Sequence, residues 1–223
     1  MRTFFIRIAK FLLFKSPFWR FFLPVMKFDM SISQLNFITN TLAEITHEGA
    51  VLEIGVGGGT SSVMRNRFMK SKSIWRPFFA IDTFSGFTRE DIQFEKDHRG
   101  KVDDYPYYRS NSKEWYSKIL VAHGITSANV YATDAKIFDY AVIGPLAFCL
   151  FDVDLYKPTK IVLPRLYEIL VPGGVIIVDD CSLEPSIYDG AGEAYRKFCS
   201  KMGFKEELHS RKARCHSQAP LGQ

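Results

Sequence analysis

The sequence predicts an α/β fold, a doubly wound and mostly parallel sheet with helices on both faces. Three observations carry that prediction. From Ser31 onward, short apolar runs alternate with segments of helical period. A glycine cluster follows the first of these runs and opens a helix, as in nucleotide-type βα turns. Two later runs, Leu146 to Phe151 and Val175 to Val178, lead straight into aspartates. Alternating strands and helices favour parallel pairing with both sheet faces covered. A chain of 223 residues, 47% hydrophobic and 24% charged, suits one soluble domain with a sizeable core.

Residues 1–30 stand apart as a basic, aromatic-rich segment. Met1 to Phe28 contains Arg2, Arg7, Lys10, Lys15, Arg20 and Lys27 and no acid. Arg7, Lys10 and Lys15 interrupt every apolar run, which excludes a secretory signal core and a membrane-spanning helix. On a helix, Phe4, Phe5, Ile8, Phe11 and Leu12 share a face, with Arg7 and Lys10 off it. Pro17 ends or kinks that helix. Such a segment suits peripheral contact with a membrane surface, or packing on the domain or on a second subunit.

Residues 31–223 form the domain. Ser31 to Thr46 reads as a helix, with Ser31 or Ser33 as its N-cap. Ala50 to Ile54 is a buried strand, Thr60 to Met69 a helix, and Pro77 to Ile81 a second strand closed by Asp82. Ser112 to His123 is helical, and Val130 and Tyr131 mark a short strand. Leu146 to Phe151 is a strongly apolar strand and Pro158 to Leu170 a helix. Pro172-Gly173-Gly174 is a turn before the strand Val175 to Val178, and Gly192 to Lys201 is the last helix. Phe84 to Asn111 breaks the alternation. It is crowded with charged and aromatic side chains, and a loop of that length points to a lid or a substrate-facing insertion.

Charge and cysteines narrow the function. The net charge of +5 comes largely from the two ends. The near-neutral middle lacks the basic stripe of a nucleic-acid-binding face. Cys149, Cys181, Cys199 and Cys215 form no C-x-x-C pair, which fits a reduced, cytoplasmic setting.

The loop Glu53-Ile54-Gly55-Val56-Gly57-Gly58-Gly59-Thr60 lets the backbone approach a ligand at a helix N-terminus. Dinucleotide and S-adenosylmethionine (SAM) sites both use such loops. Two details separate them. The dinucleotide fingerprint wants a small residue where Thr60 stands, and it needs no acid before its first glycine. Glu53 suits the cationic methionine end of SAM better than an anionic pyrophosphate. This E-x-G-x-G-x-G form resembles the first motif of class I methyltransferases, which are Rossmann-like. Gly55, Gly57, Gly59 and Thr60 then become cofactor-binding candidates with Glu53. Asp82, closing the next strand, suits ribose hydroxyls. The resemblance places Asp134 near the adenine.

Asp152 follows the strand ending at Phe151, and Asp179 and Asp180 follow the strand ending at Val178. In a doubly wound sheet these strands are neighbours, so the three carboxylates share one volume at the carboxyl ends. Clustered carboxylates repel unless a cation compensates. Oxygen ligands suit Mg²⁺ or another hard divalent cation. Such an ion would favour deprotonation of a hydroxyl, and Asp152 is also the candidate general base.

The stretches D-V-D-L-Y-K-P-T-K (Asp152 to Lys160), L-Y-E-I-L-V-P-G-G-V-I-I-V-D-D (Leu166 to Asp180), G-A-G-E-A-Y-R-K-F (Gly190 to Phe198) and I-D-T-F-S-G-F (Ile81 to Phe87) resemble the macrocin O-methyltransferase family. That resemblance implies methylation of a hydroxyl on a sugar or glycosylated small molecule, with SAM and Mg²⁺. It implies Asp152, Asp179 and Asp180 as metal ligands. Gly192 departs from it, standing where many members carry a basic residue. A catechol or phenol acceptor is the second enzyme reading. A non-catalytic peripheral membrane protein of SAM fold is the third, and the clustered aspartates argue against it. The D/N-P-P-Y/F-type motif of base methyltransferases is absent; Asp152-Val153-Asp154-Leu155 stands there.

Overall fold

Ser31 starts the first helix of the domain with a reciprocal cap. Its hydroxyl accepts from the Gln34 N–H, and its own N–H donates to the Gln34 side chain at 2.8 Å. The structure, a computed structural model, describes residues 2–16, 30–209 and 212–216. Pro17 and the terminal stretch from Ser217 lie outside them. The element order is α1 (Arg2–Lys15), α2 (Ile32–Glu44), β1 (Ala50–Ile54), α3 (Thr60–Ser71), β2 (Phe78–Asp82), α4 (Arg89–Arg99), α5 (Lys113–Ala122), β3 (Asn129–Ala132), β4 (Leu146–Phe151), α6 (Tyr156–Glu168), β5 (Leu170–Val178), α7 (Gly190–Met202), β6 (Glu207–His209) and β7 (Lys212–His216).

The sheet runs β3-β2-β1-β4-β5-β7-β6. The first five strands are parallel, and β7 enters antiparallel against β5. Strand order reverses between β1 and β4, so the crevice for a ligand opens at their carboxyl ends.

Period-two alternation sends successive side chains to opposite sheet faces. Val51, Phe148, Leu150 and Ile177 meet Phe37, Leu42, Val63 and Leu120 from α2, α3 and α5. Leu52, Ile54, Cys149 and Ile176 meet Val162, Leu163, Tyr195 and Phe198 from α6 and α7. Both faces are thus covered, as the all-buried β1 and β4 patterns require.

Three expectations change. The insertion Phe84 to Asn111 holds a regular helix, α4, capped by Thr88 and closed at Gly100. Helix α6 begins two residues earlier than expected, at Tyr156. Pro172-Gly173-Gly174 does not end one element and start another. It bulges out within β5, where Leu146 pairs Leu170 but Phe148 already pairs Val175.

Candidate active site

A cleft open to solvent lies at the carboxyl ends of β1, β2 and β4. The glycine loop forms its floor. Gly55 has φ +79°, and a Cβ built there would fall 1.7 Å from the Asp152 carbonyl oxygen. The first loop residue therefore packs directly on the first residue after β4. The Asp152 N–H donates to the Ile54 carbonyl at 2.8 Å, which ties the two strand ends in register. A Cβ on Gly58 would meet nothing within 4 Å, so the loop's crest faces open space.

Gly55, Gly57, Thr60, Asp82, Asp134 and Asp152 all line the cleft. Asp82 accepts the Val56 N–H at 2.8 Å on one oxygen and the Phe84 N–H at 2.6 Å on the other. Burial pushes its pKa up, and those backbone donors oppose the shift. Asp134 is held beside the Lys136 ammonium at 3.0 Å, and the same ammonium pairs with Asp91. Gly59 sits behind the crest, where its missing Cβ leaves room for the Tyr116 ring 3.1 Å away.

Glu53 is not on the cleft wall. Alternation along β1 sends it to the α3 side of the sheet with Val51, where it is fully buried. There it accepts from the Ser61 and Ser62 hydroxyls and pairs with Arg65. The Arg65 guanidinium lies 5.2 Å from the Phe78 ring centroid and 6.0 Å from that of Phe148. Glu53 thus anchors the first turns of α3 under the glycine loop, instead of meeting a cationic cofactor end.

The acidic cluster also differs from the expected set. Asp152, Asp154 and Asp180 offer carboxylate oxygens within 4.8 Å of one another, and all three are half-buried. Asp179 is turned away. One of its oxygens pairs with the fully buried Lys212 of β7, and the other accepts the Asp180 N–H at 2.8 Å. Both residues lie past the end of β5; Lys212 claims the Asp179 carboxylate, and Asp180 joins Asp152 and Asp154. Asp154 takes the third place because Asp152-Val153-Asp154 turns back before α6. Asp154 and Asp180 hold φ of +61° and +51°, a costly left-handed backbone for residues other than glycine. Burial and then the Asp179 charge raise the Asp152 carboxyl well above the ordinary aspartate range, and Lys212 opposes them. Asp154 is raised by burial, by Asp152 and by a hydrogen bond to the Asp180 side chain.

One wall of the cleft comes from the insertion, through Gly86, Phe87, Thr88, Asp91 and Tyr108. Phe87 packs edge-on against Tyr105 at 5.5 Å and stacks on Tyr188 at 6.3 Å. The buried Tyr105 hydroxyl donates to the Ile187 carbonyl at 2.8 Å. Glu95 on α4 is fully buried; it accepts the Tyr156 N–H at the start of α6 at 2.7 Å and pairs with Arg99. Arg99 continues to Asp189 at 2.8 Å and Glu193 at 2.7 Å. The insertion is therefore tied to α6 and α7 by a buried carboxylate and its ion pairs. Its aromatic crowding was the signal for Phe87 and Tyr108. The D-x-D spacing was the signal for Asp154.

The macrocin-O-methyltransferase (TylF) family model matches residues 25–215. The chain belongs to this family. Macrocin O-methyltransferases are SAM-dependent, and the sheet order, glycine loop and cleft described above agree with that membership. Among solved structures, the O-methyltransferase NovP is similar at 19% identity and a TM-score of 0.69, covering 84% of this chain and 81% of its own. CalS11, a calicheamicin methyltransferase, is similar at 18% identity and 0.65, covering 82% and 77%. An apo structure of CalS11, described as a TDP-rhamnose 3′-O-methyltransferase, gives 20% identity and 0.57, covering 83% and 79%. No curated protein sequence matches the chain. At these identities the solved structures speak for the fold, and the fold is that of class I methyltransferases. Position 192 has no room for a side chain here. A Cβ on Gly192 would lie 2.9 Å from the Cys181 Cα and 3.0 Å from the Asp180 carbonyl oxygen.

Proposed function

We propose that this chain transfers the SAM methyl group to a hydroxyl of a sugar or glycosylated small molecule, in the cytoplasm, with help from a divalent cation such as Mg²⁺. Nucleic acid is not its acceptor. Helix α1 supplies an additional contact, with a membrane surface or a second subunit. The observation that carries the reading is the meeting of glycine loop and carboxylates across the Gly55–Asp152 contact, in a member of this family. The likeness to CalS11, a TDP-rhamnose 3′-O-methyltransferase, supports the acceptor class.

SAM would lie across Gly57, Gly58 and Thr60, with Asp82 offered to the ribose hydroxyls and Asp134 beside the adenine. The cleft runs from the glycine loop past Asp82 to Asp134, and the open space above Gly58 leaves room for a ligand along it. Asp152, Asp154 and Asp180 form a hard, all-oxygen donor set that suits Mg²⁺, with Asp179 held back as the partner of Lys212. When bound, such an ion supplies Lewis acidity to an oxygen ligand. Asp152 takes the hydroxyl proton as the oxygen attacks the methyl carbon and S-adenosylhomocysteine leaves. Phe87 and Tyr108 give the acceptor an aromatic wall, and fixing it there supplies much of the rate.

The test is calorimetric titration of SAM and of Mg²⁺ into wild type, Asp180→Asn and Asp179→Asn. Methyl transfer from labelled SAM to nucleotide sugars and glycosides is followed alongside. Asp180→Asn should weaken Mg²⁺ by at least about tenfold while SAM still binds. Equal Mg²⁺ affinity in Asp180→Asn would reject this donor set. Failure of the wild type to bind SAM would reject the function.

A further inference from the structure

Helix α1 precedes the family-matched stretch, which begins at residue 25. It therefore answers to something other than the shared methyltransferase core. Phe4, Phe5, Phe11 and Leu12 are 62–64% exposed, and Ile8 is 42% exposed. At 100° per residue these five positions fall within an arc of about 120°. Lys15, in the last turn of the helix, falls within the same arc, its ammonium 5.9 Å from the Phe11 ring centroid. The surrounding sequence, Met1 to Phe28, carries six cations and no acid.

We propose that α1 lies in the plane of an anionic lipid bilayer surface, with the phenylalanine and leucine arc in the acyl boundary and its cations among the headgroups. A helix of 14 residues is roughly 21 Å long, short of the ~30 Å hydrocarbon core. Among the described residues no helix is long and apolar enough to cross a membrane, so the mode is in-plane. Charge decides the occupant. A second copy of this chain would bring an equally cationic, acid-free segment against the first, and like charges across an interface oppose association. Anionic headgroups reverse that sign, and each cation near such a surface adds attraction. The proposal is independent of the acceptor's identity.

Co-sedimentation of the full chain with vesicles tests it, using phosphatidylcholine alone and phosphatidylcholine mixed with phosphatidylglycerol. Two variants are compared with wild type: Phe4→Ser/Phe11→Ser/Leu12→Ser and Arg7→Gln/Lys10→Gln/Lys15→Gln. SAM titration shows that each keeps a folded domain. Wild type should sediment with the anionic vesicles only, and each variant should lose at least about tenfold in partitioning. Raised salt should weaken the wild type as well. Equal sedimentation with neutral and anionic vesicles would overturn the proposal. So would undiminished binding by the triple-serine variant. A wild-type dimer in solution that the triple-serine variant loses would also overturn it, by giving the arc to a second copy.

Discussion

Replacing Gly55 by alanine strikes the contact on which the cleft is built. The new methyl carbon would sit 1.7 Å from the Asp152 carbonyl oxygen and 2.7 Å from its carbonyl carbon. Both are backbone atoms, so no rotamer change relieves the overlap. The φ of +79° adds its own cost, about 1–2 kcal/mol for a residue with a Cβ in the left-handed region. Overpacking in a tight interior costs about 1–3 kcal/mol more. Together these give roughly 2–5 kcal/mol, or about 4–20 °C in Tm for a chain of this size. The strand ends must also part, so SAM and Mg²⁺ affinities should fall together. Thermal unfolding followed by circular dichroism, with titration of each ligand, measures all three. Gly58→Ala is the control: its Cβ meets nothing, so Tm should stay within about 1–2 °C, at a cost near 0.5 kcal/mol or less. SAM binding should still weaken there, because the crest faces the ligand. A Gly55→Ala protein with wild-type Tm and wild-type ligand affinities would refute the reasoning.

Glu53→Gln strands the buried Arg65 charge and should cost about 3–5 kcal/mol in urea unfolding, with much of the loss recovered when Arg65 is also replaced by methionine. Glu95→Ala removes a partner from Arg99 and from the α6 N-terminus; hydrogen exchange should rise in residues 89–109 and 182–190 while the β1–β4 amides stay protected, and uniform loss of protection would count against the clamp. Mg²⁺ binding should release protons. Asp152 and Asp154 have raised pKa values, so they hold protons above the ordinary aspartate range, and the cation must displace them. Apparent affinity then climbs with pH through that window, and calorimetry in buffers of different ionisation enthalpy reads the protons released; a flat pH profile would reject the shared site.

Hydrophobic period made the parallel sheet legible, because β4 and the end of β5 are apolar on both faces, β1 departs from that only at Glu53, and most of the intervening helices bury one stripe each. Helix α4 escaped that reading for a physical reason. Its buried residues are Asp91 and Glu95, and it is held by ion pairs instead of an apolar stripe. Only its caps, Thr88 and Gly100, mark it. The location of the site was legible from the glycine loop and the strand-end aspartates. The direction of individual side chains was not. Glu53 sits two residues before Gly55, yet strand alternation turns it under the loop. Asp179 and Asp180 are adjacent in sequence, yet only Asp180 joins the carboxylate group of Asp152 and Asp154, and the partner that claims Asp179 lies 33 residues further on, at Lys212.

That last pairing has a bearing on how the protein is made. By the time β5 has left the ribosome, Asp152, Asp154, Asp179 and Asp180 are all present, but the cation buried among them is not. It arrives only with Lys212, on the strand that enters antiparallel beside β5. Domains fold as units during synthesis, and here the counter-charge is delivered after all four carboxylates. A nascent chain halted before Lys212 keeps every carboxylate and lacks the ammonium that offsets their repulsion, so closing the acidic end of the sheet waits for β7.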